Sequence, residues 1–449
     1  MGRARVPNWV WIVLVAAHML ALAWALHSGH YTFPDSGRYR LAAMNLVRHN
    51  QLYACVWPNE APRGQAVQEF TIRPLGYPMA LAALGNAVAS PWVVLLVQNG
   101  LSLLTLGTVL SWWARRVWPL PKHWFGALAL ILTFPAQIIY ANAVMSETFL
   151  QSLLLALMVA ITAFCSTGRL RYWVGVAGAA TLALLLKPVC CLLAVGVGGA
   201  GLILGWYRRQ PRLLVIGLLP LLVMVAYMTW NQQRTGYFHF SSITEINLLH
   251  YNAAGVVRQV QGPTAEETWI TSVLRAANAQ EDFAARQKLI QMRAEAIILA
   301  HPWVYALQHA LGMAAFFLDP GRFDISEFLG LAPLVGGGLL AQVRAGGLWR
   351  TIGQLPLGLL AGLLVMLLAN ILRLALAVRG FRRLGGGGAG RAGRWVAIGL
   401  LAYLALLTGP LGAARFLMPA WPLLLGLALM GLRGSAEPAA TRATSGASA

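Results

Sequence analysis

The segment Tyr31–Arg40, reading YTFPDSGRYR, follows the first long apolar run and carries the first acidic residue of the chain, Asp35. Only 14 of the 449 residues are acidic, so a carboxylate beside a membrane calls for a reason. One reason is chemistry: a carboxylate there can take the proton of an attacking hydroxyl. The other is local structure, because Pro34-Asp35 ahead of a helical pattern is good N-capping chemistry. Glu147, in MSETF, is the second candidate catalytic carboxylate; its plain alternative is a first-turn acid favoured by the helix dipole.

Cations that could face such carboxylates are Arg73, Lys187 and Arg415. Fixed cations beside a departing phosphate stabilise it as it leaves, and arginine suits two-pronged contact. A sugar carried on a polyprenyl phosphate presents its anionic phosphate at head-group level, where these residues would meet it. For Arg73 and Lys187 the alternative is snorkelling to head groups. Tyr39 and Tyr77 are candidate substrate contacts or interfacial belt aromatics. His301 is a further candidate on the substrate side, with His239 and Arg234 behind it; a loop histidine satisfied by hydrogen bonds is the plainer reading.

The elements that must position these residues follow from composition. Hydrophobic residues make up 58% and charged residues 11%, where a soluble chain carries about a quarter charged. Several apolar runs reach the roughly 20 residues a bilayer crossing needs. The fold class is therefore all-α: a polytopic transmembrane bundle of about 10–12 spans. The net charge of +20 comes from arginines in short loops, at Arg115–Arg116, Arg169–Arg171, Arg208–Arg212 and Arg379–Arg383. That is the positive-inside pattern, a topology signal, and no nucleic-acid partner is expected. The four cysteines form no C-x-x-C pair, and no cluster of His and carboxylates reads as a metal site or calls for a cofactor.

Read in order, a retained first span over 8–27 delivers Tyr31–Arg40 to the outside. Residues 36–49 predict an interfacial helix, with Leu41, Met44 and Val47 on one face and Arg38, Arg40 and Arg48 on the other. An irregular loop fills 51–70, and 74–88 predicts a second juxtamembrane helix. Spans follow at 91–113, 123–141 and 148–165. The long apolar stretch 173–206 is broken by Lys187-Pro188. A charge at the bilayer centre costs at least ~2.5 kcal/mol, so two short spans with Lys187 at their outer apex are expected. A span over 211–230 reaches the outside again.

These elements group into an N-terminal transmembrane module (1–230) whose first outer loop (28–90) carries the active site, a polar outer region (231–300), a C-terminal transmembrane module (301–433) and a disordered tail (434–449). Two helical patterns, 263–277 and 281–300, occupy the outer region. Segments 302–318 and 328–343 read either as short spans or as membrane-lying helices. Spans at 351–378, 395–413 and 419–433 close the chain, the first ending at a GGGGAG linker.

The ordered series PDSGRY, RPLGYP, MSETF, LKP, TGYFHFSS, HPWVY and ARFLMPAWP resembles the GT-C superfamily of membrane glycosyltransferases. Within it the likeness is to the protein mannosyltransferase and aminoarabinose transferase group (glycosyltransferase families 39 and 83). The resemblance implies a catalytic acid just after span 1, the place held by Asp35. It implies Ser146-Glu147 at the outer start of a span, a basic residue before Pro at Lys187, and a closing Arg-Phe-x-x-Pro at Arg415–Pro419. It further implies inversion at the anomeric carbon without a metal. The implied partners are a polyprenyl-phosphate-linked sugar, a lipid, glycan or protein acceptor, and membrane lipids. The implied location is a bacterial inner membrane with the active site facing the periplasm. Where that group has Asp-Glu after span 1, this chain has Asp35-Ser36, which leaves the acceptor open. A lipid-linked glycan transporter or flippase would carry ionisable residues inside several spans. An O-antigen-ligase-like protein would place its key Arg and His in a late loop. The early acid and the gathering of charge at one rim favour the enzyme.

Overall fold

Long apolar runs and sparse loops give a chain in which helices account for nearly all of the regular structure. The computed structural model describes residues 5–57, 64–85, 91–117, 119–331, 356–384 and 388–432, together with 347 and 353. The helices are α1 (Asn8–Ser28), α2 (Ser36–His49), α3 (Gly76–Ala83), α4 (Trp92–Val117), α5 (Pro121–Leu132), α6 (Ala136–Ala141), α7 (Glu147–Thr167), α8 (Leu170–Leu186), α9 (Cys191–Tyr207) and α10 (Pro211–Thr235). After these come α11 (Ile243–Asn247), α12 (Ala254–Gln261), α13 (Pro263–Asn278), α14 (Phe283–Ala300), α15 (Pro302–Leu318), α16 (Arg322–Leu329), α17 (Leu357–Arg383), α18 (Gly388–Thr408), α19 (Ala414–Leu417) and α20 (Trp421–Leu432). Among the described residues eight helices are long and apolar enough to cross a bilayer, and α8 is a shorter apolar helix. The chain is a multi-pass membrane protein.

α1 stops at Gly29, whose φ of 77° puts it in the left-handed region, and its N–H closes on Ala25 O at 3.0 Å. That turn hands the chain to Tyr31 and α2. α2 buries Tyr39, Ala42 and Ala43 and leaves Val47 exposed, so its small side lies on the protein and packs against α3. The stretch 173–206 divides as expected: α8 ends at Leu186, Lys187 is extended, and a 3-10 turn at Pro188–Cys190 starts α9.

Segment 123–141 departs from the single span expected. It is two helices, α5 and α6, broken over Thr133–Pro135. Proline has no amide hydrogen and its ring excludes the preceding turn. The Phe134 N–H turns back to Ile131 O at 3.1 Å. Leu130 O is left over and receives Arg373 Nε from α17 at 3.1 Å. Arg373 Nη2 also donates to Thr133 Oγ1 at 2.5 Å, and Nη1 donates to Asn370 Oδ1. The guanidinium lies 5.0 Å from the Trp421 ring and 5.7 Å from that of Phe134.

Region 231–300 contains a buried apolar cluster of Leu249, Val273, Ala277 and Ile290. It is tied to the segment between α2 and α3 by Arg286 Nη1 donating to Gln68 Oε1 at 3.3 Å. Of the segments read ambiguously, 302–318 is the helix α15, and most of 328–343 lies outside the described residues, as do 385–387 of the glycine linker and the tail 434–449. α15 meets the turn after α18 backbone to backbone: a Cβ on Gly412 would stand 1.7 Å from Gly312 O.

Candidate active site

Pro34-Asp35 does start α2, yet the Asp35 side chain makes no capping hydrogen bond. Ser36 does the local work instead, its Oγ accepting from the Phe33 N–H at 2.8 Å. The Asp35 carboxylate is thereby left to other partners. Oδ1 accepts from Arg73 Nη2 at 2.5 Å and Oδ2 from Arg415 Nη2 at 2.7 Å. Arg415 Nε donates to Glu147 Oε1 at 2.6 Å, and Lys187 Nζ donates to that same oxygen at 2.8 Å. Five side chains from distant parts of the sequence form one continuous line: Arg73, Asp35, Arg415, Glu147, Lys187.

Each member sits where a helix ends or begins. Asp35 precedes α2, Lys187 lies in the break between α8 and α9, Glu147 is the first residue of α7, and Arg415 is in α19. Arg73 is held by a clamp from residues 239–242. His239 Nε2 bonds Thr71 Oγ1 at 2.8 Å, Ser241 Oγ donates to Ile72 O at 3.3 Å, and Ser242 Oγ donates to Gln68 O at 2.9 Å. The TGYFHFSS stretch thus fixes the backbone that carries Arg73. Lys187 is fixed from α3: a Cβ on Gly76 would stand 2.7 Å from Leu185 O.

Burial varies along the line. Asp35 is 25% exposed, Arg415 19% and Lys187 15%, whereas Glu147 is wholly enclosed and its Oε2 has no hydrogen-bond partner. Three cations face two carboxylates, so the line carries one surplus positive charge. Burial pushes the Asp35 carboxyl up, but the guanidiniums of Arg73 and Arg415 outweigh it and hold the group well below the usual carboxylate range. The Arg73 guanidinium also lies 4.9 Å from the Tyr39 ring centre, and Tyr39 meets Tyr77 edge to face at 4.9 Å. The Tyr39 hydroxyl is 3.3 Å from Ser146 Oγ, and Tyr77 donates to Gln98 Oε1 at 2.8 Å.

The structure therefore brings Asp35, Arg73, Glu147, Lys187 and Arg415 into one network and sets Tyr39 and Tyr77 behind Arg73. His301 stands at the junction of α14 and α15, and its side chain bonds none of the five. His239 lies behind Arg73 as part of the clamp. Arg234 is apart, stacked 3.5 Å over Trp230 and bonded to Leu52 O at 3.4 Å.

Sequence reasoning overlooked Asp319, Asp324, Tyr140 and Arg373. Tyr140 donates to Asp324 Oδ1 at 2.7 Å, and its ring packs 5.6 Å from that of Phe33, two residues before Asp35. Burial pushes the Asp324 carboxyl up to about 7. The available signal was the rarity of acids, applied to Asp35 and Glu147 but not to these two. Among the described residues no three His, Cys, Asp or Glu side chains are grouped as a metal ion would need.

The fold is similar to that of ArnT from Cupriavidus metallidurans bound to undecaprenyl phosphate, at 14% identity over 95% of this chain and 77% of ArnT, with a TM-score of 0.37. The apo form of that protein gives 13% identity over 95% and 78%, with a TM-score of 0.35. Arabinosyltransferase EmbB from Mycobacterium smegmatis gives 14% identity over 96% of this chain and 42% of its own, with a TM-score of 0.32. At this level the likeness concerns the arrangement of helices alone. No protein-family model matches the sequence, and no curated protein matches it.

Proposed function

We propose that this chain is a GT-C-type glycosyltransferase, moving a sugar from a polyprenyl-phosphate donor to an acceptor hydroxyl at the outer face of a bacterial inner membrane. The observation that carries the reading is the unbroken line of Arg73, Asp35, Arg415, Glu147 and Lys187, partly open at Asp35 and closed at Glu147.

In the proposed reaction the acceptor oxygen attacks the anomeric carbon while the bond from that carbon to the phosphate oxygen breaks. Asp35 takes the hydroxyl proton as general base. Arg73, Arg415 and Lys187 hold the phosphate, whose charge grows as it departs. One displacement of this kind inverts the anomeric centre. Glu147 is enclosed and acts as a positioning residue, gathering Arg415 and Lys187 on one oxygen. Tyr39 and Tyr77 orient Arg73 from behind.

Before the donor binds, both Asp35 oxygens are taken up by guanidiniums and the carboxylate is a poor base. An arriving phosphate competes for those guanidiniums, and an Asp35 oxygen is released as it succeeds. Base and leaving-group site are thus switched on together, which guards the site against activity without donor.

The test is transfer by purified protein in detergent, supplied with labelled polyprenyl-phosphate sugars and an envelope lipid and glycan fraction as acceptor. Label should move from at least one donor and should not move when Arg415→Met replaces the wild type. A protein that uses no donor in a broad panel, or an Arg415→Met variant with undiminished transfer, would sink the proposal.

A further inference from the structure

Arg415 is the one member of the network that touches both carboxylates, and its own neighbourhood of the sequence offers it only the Phe416 ring, 5.7 Å from the guanidinium. The residue before its helix is Ala413, which has no side-chain acceptor and makes no capping bond. The helical run that opens with α19 continues to Leu432; the Phe416 N–H closes on Ala413 O at 3.0 Å, but the Ala414 N–H at the start of the run has no partner within it.

The partner comes from 95 residues earlier. Asp319, at the end of α15, accepts the Ala414 N–H on Oδ2 at 2.8 Å. Its other oxygen accepts the Gly321 N–H at 3.1 Å, so the carboxylate fixes its own turn and the start of the Arg415 helix together. Asp319 is in turn fixed from α17: Asn370 Nδ2 donates to Asp319 O at 3.0 Å and to Leu318 O at 3.2 Å. The fit between α15 and the turn preceding Arg415 is tight, since a Cβ on Gly312 would stand 2.0 Å from Gly409 O. The Arg415 backbone is therefore seated on α15, with one charged bond as the pin.

We infer that Asp319 is a positioning residue for Arg415: by capping α19 across the bundle it sets the guanidinium that joins Asp35 to Glu147. Its catalytic consequence rests on the function proposed above; its structural consequence does not. The two are read separately.

Hydrogen–deuterium exchange in the full-length detergent-solubilised protein reads the pin alone. Asp319→Ala should speed exchange in peptides covering 412–417 by about tenfold, the factor expected for one lost net hydrogen bond. Unchanged exchange there overturns the inference whatever the protein catalyses. Sugar transfer then reads the consequence. Asp319→Ala should cut kcat by about a hundredfold, the scale of a reacting group displaced by roughly 1 Å. In an Arg415→Lys background the same substitution should cost much less, because the residue through which it acts is already compromised. Asp319→Asn keeps the volume and one acceptor, so it should fold even if the alanine variant does not and fall between the two. Equal fold-losses in the wild-type and Arg415→Lys backgrounds would show independent action and overturn the inference. Altered exchange in a protein that transfers no sugar would refute the proposed function and leave the pin standing.

Discussion

Replacing Asp35 by asparagine should move two measurable quantities in opposite directions. The wild-type carboxylate is both the proposed base and a competitor for the cations that the lipid phosphate needs. Loss of a positioned general base costs about 10²–10⁴-fold in rate, so Asp35→Asn should transfer at a hundredth of the wild-type rate or less. Binding should improve. Asparagine has one acceptor oxygen and no charge, so it can serve only one of Arg73 and Arg415, where Asp35 serves both at 2.5 Å and 2.7 Å. A hydrogen bond to a charged group contributes about 1.5–3 kcal/mol. Releasing roughly one of them at a site a quarter exposed gives about 1.4 kcal/mol, or tenfold tighter binding of sugar-free polyprenyl phosphate. Calorimetric titration of lipid into solubilised protein reads the affinity, and single-turnover transfer reads the chemistry. Transfer above a tenth of wild type would refute Asp35 as base. Weaker lipid binding by a variant with an unchanged melting curve would refute the competition between carboxylate and phosphate.

Glu147→Gln leaves Arg415 and Lys187 without their shared carboxylate in an enclosed site; breaking such a pair costs about 3–5 kcal/mol, and an unchanged denaturation midpoint in detergent would contradict this. Gly412→Ala drives a methyl group into Gly312 O. It should destabilise the protein by at least about 1–3 kcal/mol and lower transfer with it, which melting and activity measured together would check. Asp324 predicts a pH effect. Its folded carboxyl is raised to about 7 by burial, then by Asp319 and Glu147, against Tyr140 and Arg415. A raised carboxyl contributes stability below its unfolded value, and that contribution is lost as pH rises through about 7. Wild type should therefore melt lower at pH 8 than at pH 5, and Asp324→Asn should lack that particular drop; parallel curves for the two proteins would refute it.

Much of this architecture is legible in the chain because it depends on local rules. The boundaries of α2 follow from Pro34-Asp35 and a 3.6-residue period, and the α8–α9 break follows from Lys187-Pro188 in hydrocarbon. What was not legible depends on residues far apart in sequence. Whether Asp35 would cap its own helix could not be read locally; the competition is decided by Arg73 and Arg415, 38 and 380 residues away. The break at Pro135 was visible in principle, since an interior proline interrupts a helix, but the apolar run outweighed it. Arg373 was overlooked although a lone arginine in an apolar helix is costly enough to demand a partner. Besides Asn370 on its own helix, its partners are the Thr133 hydroxyl and the Leu130 carbonyl, and that carbonyl is free to accept only because the helix at 121–141 is broken.

That arginine bears on how the protein is made. As α17 leaves the ribosome it carries a cation that an isolated helix would pay about 2.5–3.5 kcal/mol to submerge. Asn370 relieves it from within the helix, but its other two acceptors were synthesised some 240 residues earlier. Integration of the last fifth of the chain therefore waits on a finished first third. Mistranslation around Pro135 would be felt as failed insertion of a segment the ribosome has yet to reach.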